Sequence, residues 1–479
     1  MDAVGTFLAG LTGGAAPIET HVSEVFVGAH IAYKRRKPVR LTFLDFTAAA
    51  DRRRYAEREL ALNAPHAPGL YHGVHAITQA SDGTLALDGR GEKIDWVVAM
   101  APLPASAFLD AVAAADGLTP ALLNAMADAV AAMHASLPPA QGHDLAEVAR
   151  GNAQAALAAG LPPDRVAAWE TACLARIAAQ AAWHRGRAAT HVRRCHGDLH
   201  LGNMVLLQGR PCPFDALEFD EALATIDTGY DLAFLLMDLE QRLGRGPANL
   251  VLNRYVARTG DAGLVAGLPA WLSLRAIIRA HVQERQGKGR GLALLAAAEA
   301  YLAPPAPMLV AVGGLQGTGK STLAQALAPE LGAAPGALVL RSDAIRKRLA
   351  GVAPETRLPE AAYTPAATQA VYATLLQEAQ AALAGHHAVV ADAVFQRPGE
   401  RAAIAALAPP GRFLGVWLEA PLPLLQARLE ARRNDASDAD AAVLAQAAAR
   451  DSGSIGWARV DASDAAAALA HVRRLLQVA

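Results

Sequence analysis

The sequence predicts two folds in succession, an α+β fold followed by an α/β fold with a parallel sheet. In the N-terminal part, strand-like segments come first and helical patterns follow, which is the order of an α+β arrangement. Beyond residue 307, short apolar strands alternate with helices, as in parallel-sheet proteins. Between the two parts, Ala303–Pro307 contains three prolines, which cannot continue a helix and favour an extended connection.

We therefore predict two domains, residues 1–303 and 304–479. A chain of 479 residues normally exceeds a single hydrophobic core. The net charge of −1 gives no overall field that would attract nucleic acid, and aromatic residues, at 5%, offer few stacking surfaces. The three cysteines form no Cys-x-x-Cys pair, which argues against a zinc site or a disulfide framework.

No membrane segment is expected either. The longest uncharged stretch, Ala300–Gly319, is broken by prolines and glycines and is read as a linker, a strand and a loop. The chain opens on Met1-Asp2 without a basic segment, which argues against a secretory signal. We expect a cytoplasmic protein. The sequence indicates no oligomeric state.

The elements of the first domain follow from residue type. β-branched and aromatic residues predict strands, whereas charged residues and alanine favour helices, and proline pairs interrupt them. The predicted strands are 22–27, 39–46, 96–99 and 204–207. The predicted helical regions are 51–63, 116–186, broken at Pro138-Pro139 and Pro162-Pro163, and the remainder after the last strand up to Tyr301.

The second domain alternates between strands and helices. Its predicted strands are 308–312, 337–340, 388–391 and 413–417. Its predicted helices are 320–328, a basic helix that follows Arg341-Ser342-Asp343, 364–385 and 422–433. Because the carboxyl ends of parallel strands meet at one edge of a sheet, we expect the ligand site there.

The segment His196–Asn203 reads His-Gly-Asp-Leu-His-Leu-Gly-Asn. An Asp followed five positions later by an Asn, after a His and before an apolar run, has the spacing of a kinase-type catalytic loop. In such a loop the Asp accepts the proton of the acceptor hydroxyl and the Asn binds Mg²⁺. We predict these roles for Asp198 and Asn203.

Further residues complete a nucleotide site in this domain. Asp215 ends a short apolar strand and is predicted to be the carboxylate ligand of Mg²⁺. Lys34, at the end of a strand, is predicted to contact the ATP phosphates, with Lys37 as the alternative, and Glu59 is predicted to pair with that lysine. No Gly-x-Gly-x-x-Gly segment precedes Lys34.

The second domain contains a phosphate-binding loop, Gly314–Ser321, which reads Gly-Leu-Gln-Gly-Thr-Gly-Lys-Ser. Glycines allow successive backbone N–H groups to face phosphates, and the dipole of the following helix favours negative charge. We predict that the lysine neutralises the β- and γ-phosphates and that the serine hydroxyl binds Mg²⁺. The predicted nucleotide-binding residues are Gly314, Gly317, Thr318, Gly319, Lys320, Ser321 and Thr322.

Five charged positions after this loop predict a kinase rather than a GTPase. Asp343, at the end of the second strand, is predicted to orient or deprotonate the acceptor hydroxyl, and Arg346, one turn on, to hold an anionic group. Asp392 ends a strand of the Walker-B type and is predicted to hold Mg²⁺. Arg428 and Arg432, four apart on one helix, are predicted to close over the transferred phosphate.

At these residues the first domain resembles the aminoglycoside and choline kinase-like phosphotransferases. His196-Gly197-Asp198 is their form of the catalytic loop, and Ile226-Asp227 and Tyr230–Ala233 are similar to their segment after the second metal-binding Asp. The resemblance covers roughly residues 20–300 and implies a two-lobed, α+β kinase-like domain. Asp227 and Asp231 are expected to support the loop.

The second domain resembles the small P-loop kinases grouped with gluconate kinase, polynucleotide kinase and zeta-type toxins. Asp343-x-x-Arg346 and Arg432–Ala439 carry much of this likeness, which covers about residues 307–475. It implies an α/β P-loop kinase-like domain. The fusion resembles bacterial proteins described as bifunctional aminoglycoside phosphotransferase/ATP-binding proteins.

Together these residues predict an ATP- and Mg²⁺-dependent phosphotransferase with two nucleotide sites, which transfers the γ-phosphoryl group to a hydroxyl of a small molecule. Two alternatives stay open. In one alternative, the first domain binds nucleotide and regulates the second domain. In the other, the second domain phosphorylates 5′-hydroxyl groups of nucleic acid. An aminoglycoside acceptor is not implied, because the acidic residues of 116–186 are scattered and such a polycation needs a cluster.

Overall fold

A computed structural model describes residues 2–20, 22–41, 44–142, 144–431 and 436–478. The chain forms two compact units. The first comprises Met1–His143 and Gly186–Asp231, and the second comprises Asp144–Arg185 and Leu232–Ala479. The predicted boundary at residue 303 stays a prediction. In the described residues, no helix is long and apolar enough to cross a membrane.

The strands, in chain order, are β1 (Ile18–Glu19), β2 (Ser23–Val27), β3 (Ala32–Arg36), β4 (Arg40–Leu41), β5 (Leu44–Asp45), β6 (Tyr71–Gln79), β7 (Leu85–Leu87), β8 (Glu92–Met100), β9 (Val192–Arg194), β10 (Met204–Leu207), β11 (Arg210–Pro213), β12 (Thr225–Asp227), β13 (Leu309–Gly314), β14 (Leu338–Arg341), β15 (Val389–Asp392), β16 (Phe413–Glu419) and β17 (Ala458–Asp461).

The α-helices are α1 (Ala3–Leu11), α2 (Ala49–Asn63), α3 (Leu109–Ala114), α4 (Pro120–Ser136), α5 (Leu145–Ala158), α6 (Pro163–Ala179), α7 (Ala181–His191), α8 (Glu221–Ala224), α9 (Thr228–Leu243), α10 (Arg245–Thr259), α11 (Leu268–Arg285), α12 (Gly291–Tyr301), α13 (Lys320–Leu327), α14 (Ser342–Leu349), α15 (Pro365–Ala384), α16 (Pro398–Ala405), α17 (Leu422–Ala431), α18 (Ala441–Ala448) and α19 (Ala465–Val478).

The first unit is built on an antiparallel sheet with the strand order β1-β2-β3-β8-β6-β7. Helix α2 lies against this sheet, where its Ala56 packs with Val98 of β8. Two short antiparallel pairs, β9–β12 and β10–β11, flank the segment between residues 194 and 204. The sheet and α2 thus supply one side of a candidate site, and the two short pairs supply the other.

Strand β3 differs from its prediction. Lys34 was expected at the end of a strand, and residues 32–36 were not among the predicted strands, but Lys34 lies in the middle of β3, which pairs with β2 and β8. The charges are tolerated because carboxylates meet them: Arg35 is 3% exposed and donates to Asp95 at 2.8 Å. Paired in this way, cationic side chains can occupy a largely buried strand.

The second unit contains the predicted parallel sheet, with the strand order β14-β15-β13-β16-β17. Its central strand β13 pairs in parallel with β15 and β16, so the carboxyl ends of all three strands meet at one edge. Val310, Val312, Val390 and Val416 are fully buried between the sheet and its helices. The predicted α+β and α/β fold classes are therefore confirmed. Elements of the second fold that the sequence did not predict include α16, α18, β17 and α19.

Candidate functional sites

The segment His196–Asn203 follows β9 and is fixed by a buried carboxylate. Asp231 accepts the backbone N–H groups of His196 at 3.1 Å and Gly197 at 2.9 Å, and it also contacts His134 Nε2 at 3.1 Å. Gly197 has φ +86°, and a Cβ there would lie 3.1 Å from Leu217 Cβ. Asp231 therefore holds the turn that presents Asp198.

The side chain of His196 stabilises the same loop through a contact with the segment before Asp215. It is 2% exposed, and its Nε2 lies 2.8 Å from the carbonyl oxygen of Phe214. Burial lowers the pKa of His196, although Asp231 opposes this, so the ring is neutral at pH 7. A neutral ring with its proton on Nε2 donates to Phe214, the residue directly before Asp215. This hydrogen bond connects the loop that contains Asn203 to the segment that contains Asp215, the two predicted Mg²⁺ ligands.

Asp198 and Asn203 lie side by side. Asn203 Nδ2 donates to Asp198 Oδ2 at 2.9 Å and to the Asp198 carbonyl at 3.0 Å. The Asp198 side chain keeps 42% of its surface exposed, so it can meet a substrate. Because the amide nitrogen of Asn203 is used in this way, its amide oxygen is the atom suited to a divalent cation.

Lys34, Glu59 and Asp215 form one ion-paired group. Lys34 Nζ lies 2.9 Å from Glu59 Oε1 and 2.5 Å from Asp215 Oδ1. Burial raises the pKa of Asp215, but the Lys34 ammonium outweighs burial and the net direction is downward. Asp215 has φ +60°, a conformation that is uncommon for residues other than glycine and often marks functional sites. The carboxylate is thus ionised and interacts with the charge of Asp198, and the preceding residue, Phe214, donates its backbone N–H to the Asn203 carbonyl at 3.0 Å.

Two further charged residues belong to this group and were not predicted. Arg36 is 2% exposed and donates to Glu59 Oε2 at 2.7 Å and to Glu218 Oε1 at 2.5 Å. Glu59 is fully buried, so it is shared by two cations, Lys34 and Arg36. The signal in the sequence was the spacing of residues 34 and 36, which puts both side chains on one face of a strand.

Lys37, the alternative to Lys34, lies elsewhere in the same unit. Its Nζ is 2.7 Å from Glu19 Oε2, and Glu19 keeps 61% of its side-chain surface exposed. The structure therefore brings Lys34, rather than Lys37, to Glu59 and Asp215.

In the second unit, the phosphate-binding loop connects β13 to α13. Gly314 has φ +137° and Gly317 has φ +85°, and a Cβ would lie 2.6 Å from Leu418 O at the first and 2.8 Å from Leu425 O at the second. Lys320 Nζ and Thr318 Oγ1 both donate to the carbonyl of Leu315, at 2.9 and 2.8 Å. These hydrogen bonds hold the loop in one conformation, in which the Lys320 side chain folds back onto the loop backbone.

Ser321 and Asp392 meet at the carboxyl edge of the parallel sheet. Ser321 Oγ donates to Asp392 Oδ2 at 2.6 Å, and Arg341 Nε lies 3.3 Å from the same oxygen. Asp392 is 4% exposed, and its strand β15 pairs directly with β13. Hydroxyl and carboxylate oxygens are suitable ligands for Mg²⁺, so this pair fits the ion that the loop motif requires.

Asp343 and Arg346 lie one turn apart on α14. Burial raises the pKa of Asp343, opposed by Arg341 and by a hydrogen bond from Ser437. Arg346 lies over the ring of Tyr363, 4.8 Å from its centre, and donates to the carbonyl of Ala362 at 3.0 Å. Asp343 is partly buried, and a carboxylate with a raised pKa is a better proton acceptor than an exposed one with its ordinary pKa.

The predicted arginine pair is described at one position only. Arg428 donates to the carbonyls of Ala462 and Ser463, both at 2.8 Å, and it lines the cavity above the phosphate loop. Arg432 lies outside the described residues. A role of the pair in closing over a phosphate stays a prediction.

One cavity of about 1600 Å³ joins these residues of the second unit. Its walls include the loop residues Gly317, Thr318, Gly319, Lys320, Ser321 and Thr322, together with Asp343, Arg346, Asp392 and Arg428. The volume exceeds the 300–1,000 Å³ of a typical small-molecule site. It is large enough for a nucleotide and a second substrate at the same time.

Two family models match the chain. The model described as Phosphotransferase enzyme family matches residues 47–276, and the model described as AAA domain matches residues 309–451. The first range contains Asp198, Asn203 and Asp215, and the second contains the phosphate loop and Asp343. The two resemblances drawn from the sequence motifs are thereby confirmed.

Several known proteins are similar to the chain. "Uncharacterized protein Rv2004c" of Mycobacterium tuberculosis (strain ATCC 25618 / H37Rv) is 29% identical over 459 residues, which cover 90% of this chain and 89% of that protein. "Uncharacterized protein Mb2027c" of Mycobacterium bovis gives the same values.

Several solved structures are also similar to the chain. A gluconokinase from Sinorhizobium meliloti 1021 is 23% identical and covers 35% of this chain and 93% of its own, with a TM-score of 0.25. The aminoglycoside phosphotransferase APH(4)-Ia is 14% identical, with coverages of 63% and 97% and a TM-score of 0.38. Choline kinase LicA from Streptococcus pneumoniae is 12% identical, with the same coverages and a TM-score of 0.39.

Proposed function

We propose that this chain, a phosphotransferase in which a phosphotransferase-family region precedes an AAA-type P-loop region, has two Mg-ATP sites and phosphorylates hydroxyl groups of small molecules. The observation that supports the proposal is that each site contains a lysine, side-chain oxygen atoms of types that can bind Mg²⁺, and a carboxylate that would act as the base. This chemistry needs positioning and charge neutralisation more than covalent participation of the protein.

In the first site, the ion-paired group supplies the parts for binding ATP. Lys34 is ion-paired with Glu59 and Asp215, which fix the position of its ammonium group. The ammonium would also contact an ATP phosphate. Asp215 and Asn203 would hold Mg²⁺, which neutralises charge on the phosphates when it is bound. Asp198, oriented by Asn203, would accept the proton of the acceptor hydroxyl.

In the second site, the phosphate loop would cradle the β- and γ-phosphates. Lys320 would exchange the carbonyl of Leu315 for phosphate oxygens, because a charged acceptor binds an ammonium more strongly than a neutral one. Ser321 and Asp392 would hold Mg²⁺, and Asp343 would take the proton of the acceptor. An ATP-consuming protein whose cysteines Cys173, Cys195 and Cys212 are free fits the cytoplasm.

Nucleotide-binding stoichiometry tests the proposal. The wild-type chain should bind two equivalents of a fluorescent ATP analogue with Mg²⁺, Lys320→Ala and Asp215→Asn should each bind one, and the double variant none. Lys288→Ala, at an exposed position, is the matched control. Removal of Mg²⁺ with EDTA should weaken binding at both sites. Wild-type stoichiometry in both single variants would contradict the proposal. If two sites are found, ADP formation measured with a panel of hydroxyl compounds identifies the acceptor.

A second candidate function is that the first site regulates the second and transfers no phosphate itself. The favouring observation is the turn between β2 and β3, four residues from Gly28 to Ile31, closed by a hydrogen bond of 2.9 Å from Gly28 N to Ile31 O. So short a turn offers few backbone N–H groups to phosphates. In Lys320→Ala, ADP formation that depends on Asp198 supports two catalytic sites, whereas its absence supports the regulator.

A further inference from the structure

Two adjacent residues, Ser437 and Asp438, lie along the face of α14 that carries Asp343. Asp438 is ion-paired with Lys347, one turn after Asp343 on the same helix. Ser437, one residue earlier, hydrogen-bonds to Asp343. The two contacts have matching spacing, since residues 343 and 347 are four apart and project from one side of a helix.

Asp438 anchors this contact firmly. Besides Lys347, it accepts the backbone N–H of Leu358 at 3.0 Å and the hydroxyl of Tyr363 at 2.5 Å. Lys347 is 1% exposed and also donates to the carbonyl of Thr356 at 2.5 Å. A charge-assisted pair at a buried lysine restricts both partners, so the Ser437 hydroxyl is kept next to the Asp343 carboxylate.

Other hydroxyl groups that line the cavity have different partners. Thr318 donates to the carbonyl of Leu315, Ser321 donates to Asp392, and Tyr363 donates to Asp438. Ser437 instead hydrogen-bonds to the carboxylate that would deprotonate an acceptor, and it lines the same cavity as the phosphate loop and Lys320.

We propose that Ser437 is an internal acceptor of the P-loop site, and that the chain transfers a γ-phosphoryl group of ATP to its own Ser437 hydroxyl. The proposal rests on the proposed nucleotide binding of this site. It adds a modification site and a second kind of acceptor, the chain itself, to a site otherwise proposed to act on small molecules.

The transfer balances without any further reactant. A bond forms between Ser437 Oγ and the γ-phosphorus, and the bond from that phosphorus to the bridging oxygen of ATP breaks, with its electron pair leaving on ADP. The hydroxyl proton passes to Asp343 and then to solvent. Burial, which favours the protonated form of this carboxylate, suits it to receive that proton.

Mass spectrometry of the full-length chain tests the proposal. Purified protein is first treated with a phosphatase, which is then removed, and is incubated with Mg-ATP without added acceptor. We expect a mass increase of one phosphoryl group, located at Ser437 by peptide sequencing. Ser437→Ala should lose it, Ser437→Thr should regain it as phosphothreonine, and the exposed control Ser454→Ala should keep it. Thermal melting of each variant checks that it is folded.

A mixing experiment tests transfer within one molecule. Wild-type chain should leave a tagged Lys320→Ala chain unmodified, and the modified fraction should rise at a rate independent of protein concentration. Phosphorylation at another residue, labelling of the tagged chain, or an unchanged mass of a wild-type chain that binds nucleotide at Lys320 would each overturn the proposal. The last result leaves the proposed function intact, whereas loss of Lys320-dependent nucleotide binding would contradict the proposed function itself.

Discussion

Asn253 Oδ1 accepts a hydrogen bond of 2.6 Å from the backbone N–H of Val339, so a side chain of α10 pairs with the outer edge of β14. Asn253 Nδ2 and Asn249 Nδ2 both reach the carbonyl of Ala337, at 3.3 and 3.0 Å. Edge strands present unpaired backbone groups, and here a helix satisfies them. Strand β14 ends at Arg341, directly before α14 and Asp343. The contacts from α10 therefore also help to fix the position of the first turn of α14.

We predict that Asn253→Leu lowers the free energy of unfolding by about 1–3 kcal/mol, since it leaves the Val339 N–H without its acceptor. Urea unfolding followed by circular dichroism measures this. Gln369→Leu, at an exposed position of α15, is the control and should change little. Equal stability of the two variants would show that the contact with β14 contributes nothing.

Removal of Arg36 should be costly. Arg36→Met leaves Glu218 without this cation and Glu59 with Lys34 alone, and breaking a buried ion pair costs about 3–5 kcal/mol. We expect a lower melting temperature and weaker nucleotide binding at the first site. The neighbouring Lys37→Met, whose partner Glu19 is exposed, should melt like the wild-type chain. Equal melting temperatures of the two variants would show that the ion pairs of Arg36 do not stabilise the fold more than those of Lys37.

Asp343→Asn should separate chemistry from nucleotide binding. An amide cannot accept the acceptor proton, and loss of a general base slows transfer by about 10²–10⁴-fold. We expect ADP formation at the second site to fall in this range, measured in an Asp198→Ala background, while the affinity of the Lys320 site for ATP changes little. Glu360→Gln, at the rim of the same cavity, is the control and should keep full activity. Normal turnover in Asp343→Asn would exclude the residue as the base.

His387 should make stability sensitive to acid. Burial lowers the pKa of His387 to about 4 from its usual 6.5, opposed by its hydrogen bond to the Gly336 carbonyl. The folded state therefore binds fewer protons than the unfolded state between these values, so its stability is complete above pH 6.5 and is lost as the pH falls toward 4. Between pH 7.5 and pH 5 the loss should be about 2 kcal/mol.

The variant His387→Gln removes this titration but keeps an N–H donor for Gly336. Its free energy of unfolding, measured by urea at pH 7.5 and at pH 5, should fall less with pH than that of the wild-type chain. A parallel decrease in both proteins would mean that His387 does not cause the acid sensitivity.

Several features were predictable because they depend on short sequence patterns. The glycine positions of the phosphate loop and the five-residue spacing of Asp198 and Asn203 constrain local backbone geometry, so a sequence shows them directly. The strand Met204–Leu207 was predicted with the bounds that the structure gives. In contrast, β3 was not predicted, because its charged side chains do not resemble those of a buried strand, and only carboxylate partners distant in the sequence explain their burial.

The sequence by itself determined the two fold classes, the order of the two regions and the residue types of both sites, since periodicity and motif spacing are local properties. Only the tertiary structure decided which charges meet. Arg36 with Glu218, Lys347 with Asp438 and Ser437 with Asp343 are each separated by more than 90 residues along the chain. Contacts at such separations depend on how strands and helices pack, and no local pattern records them.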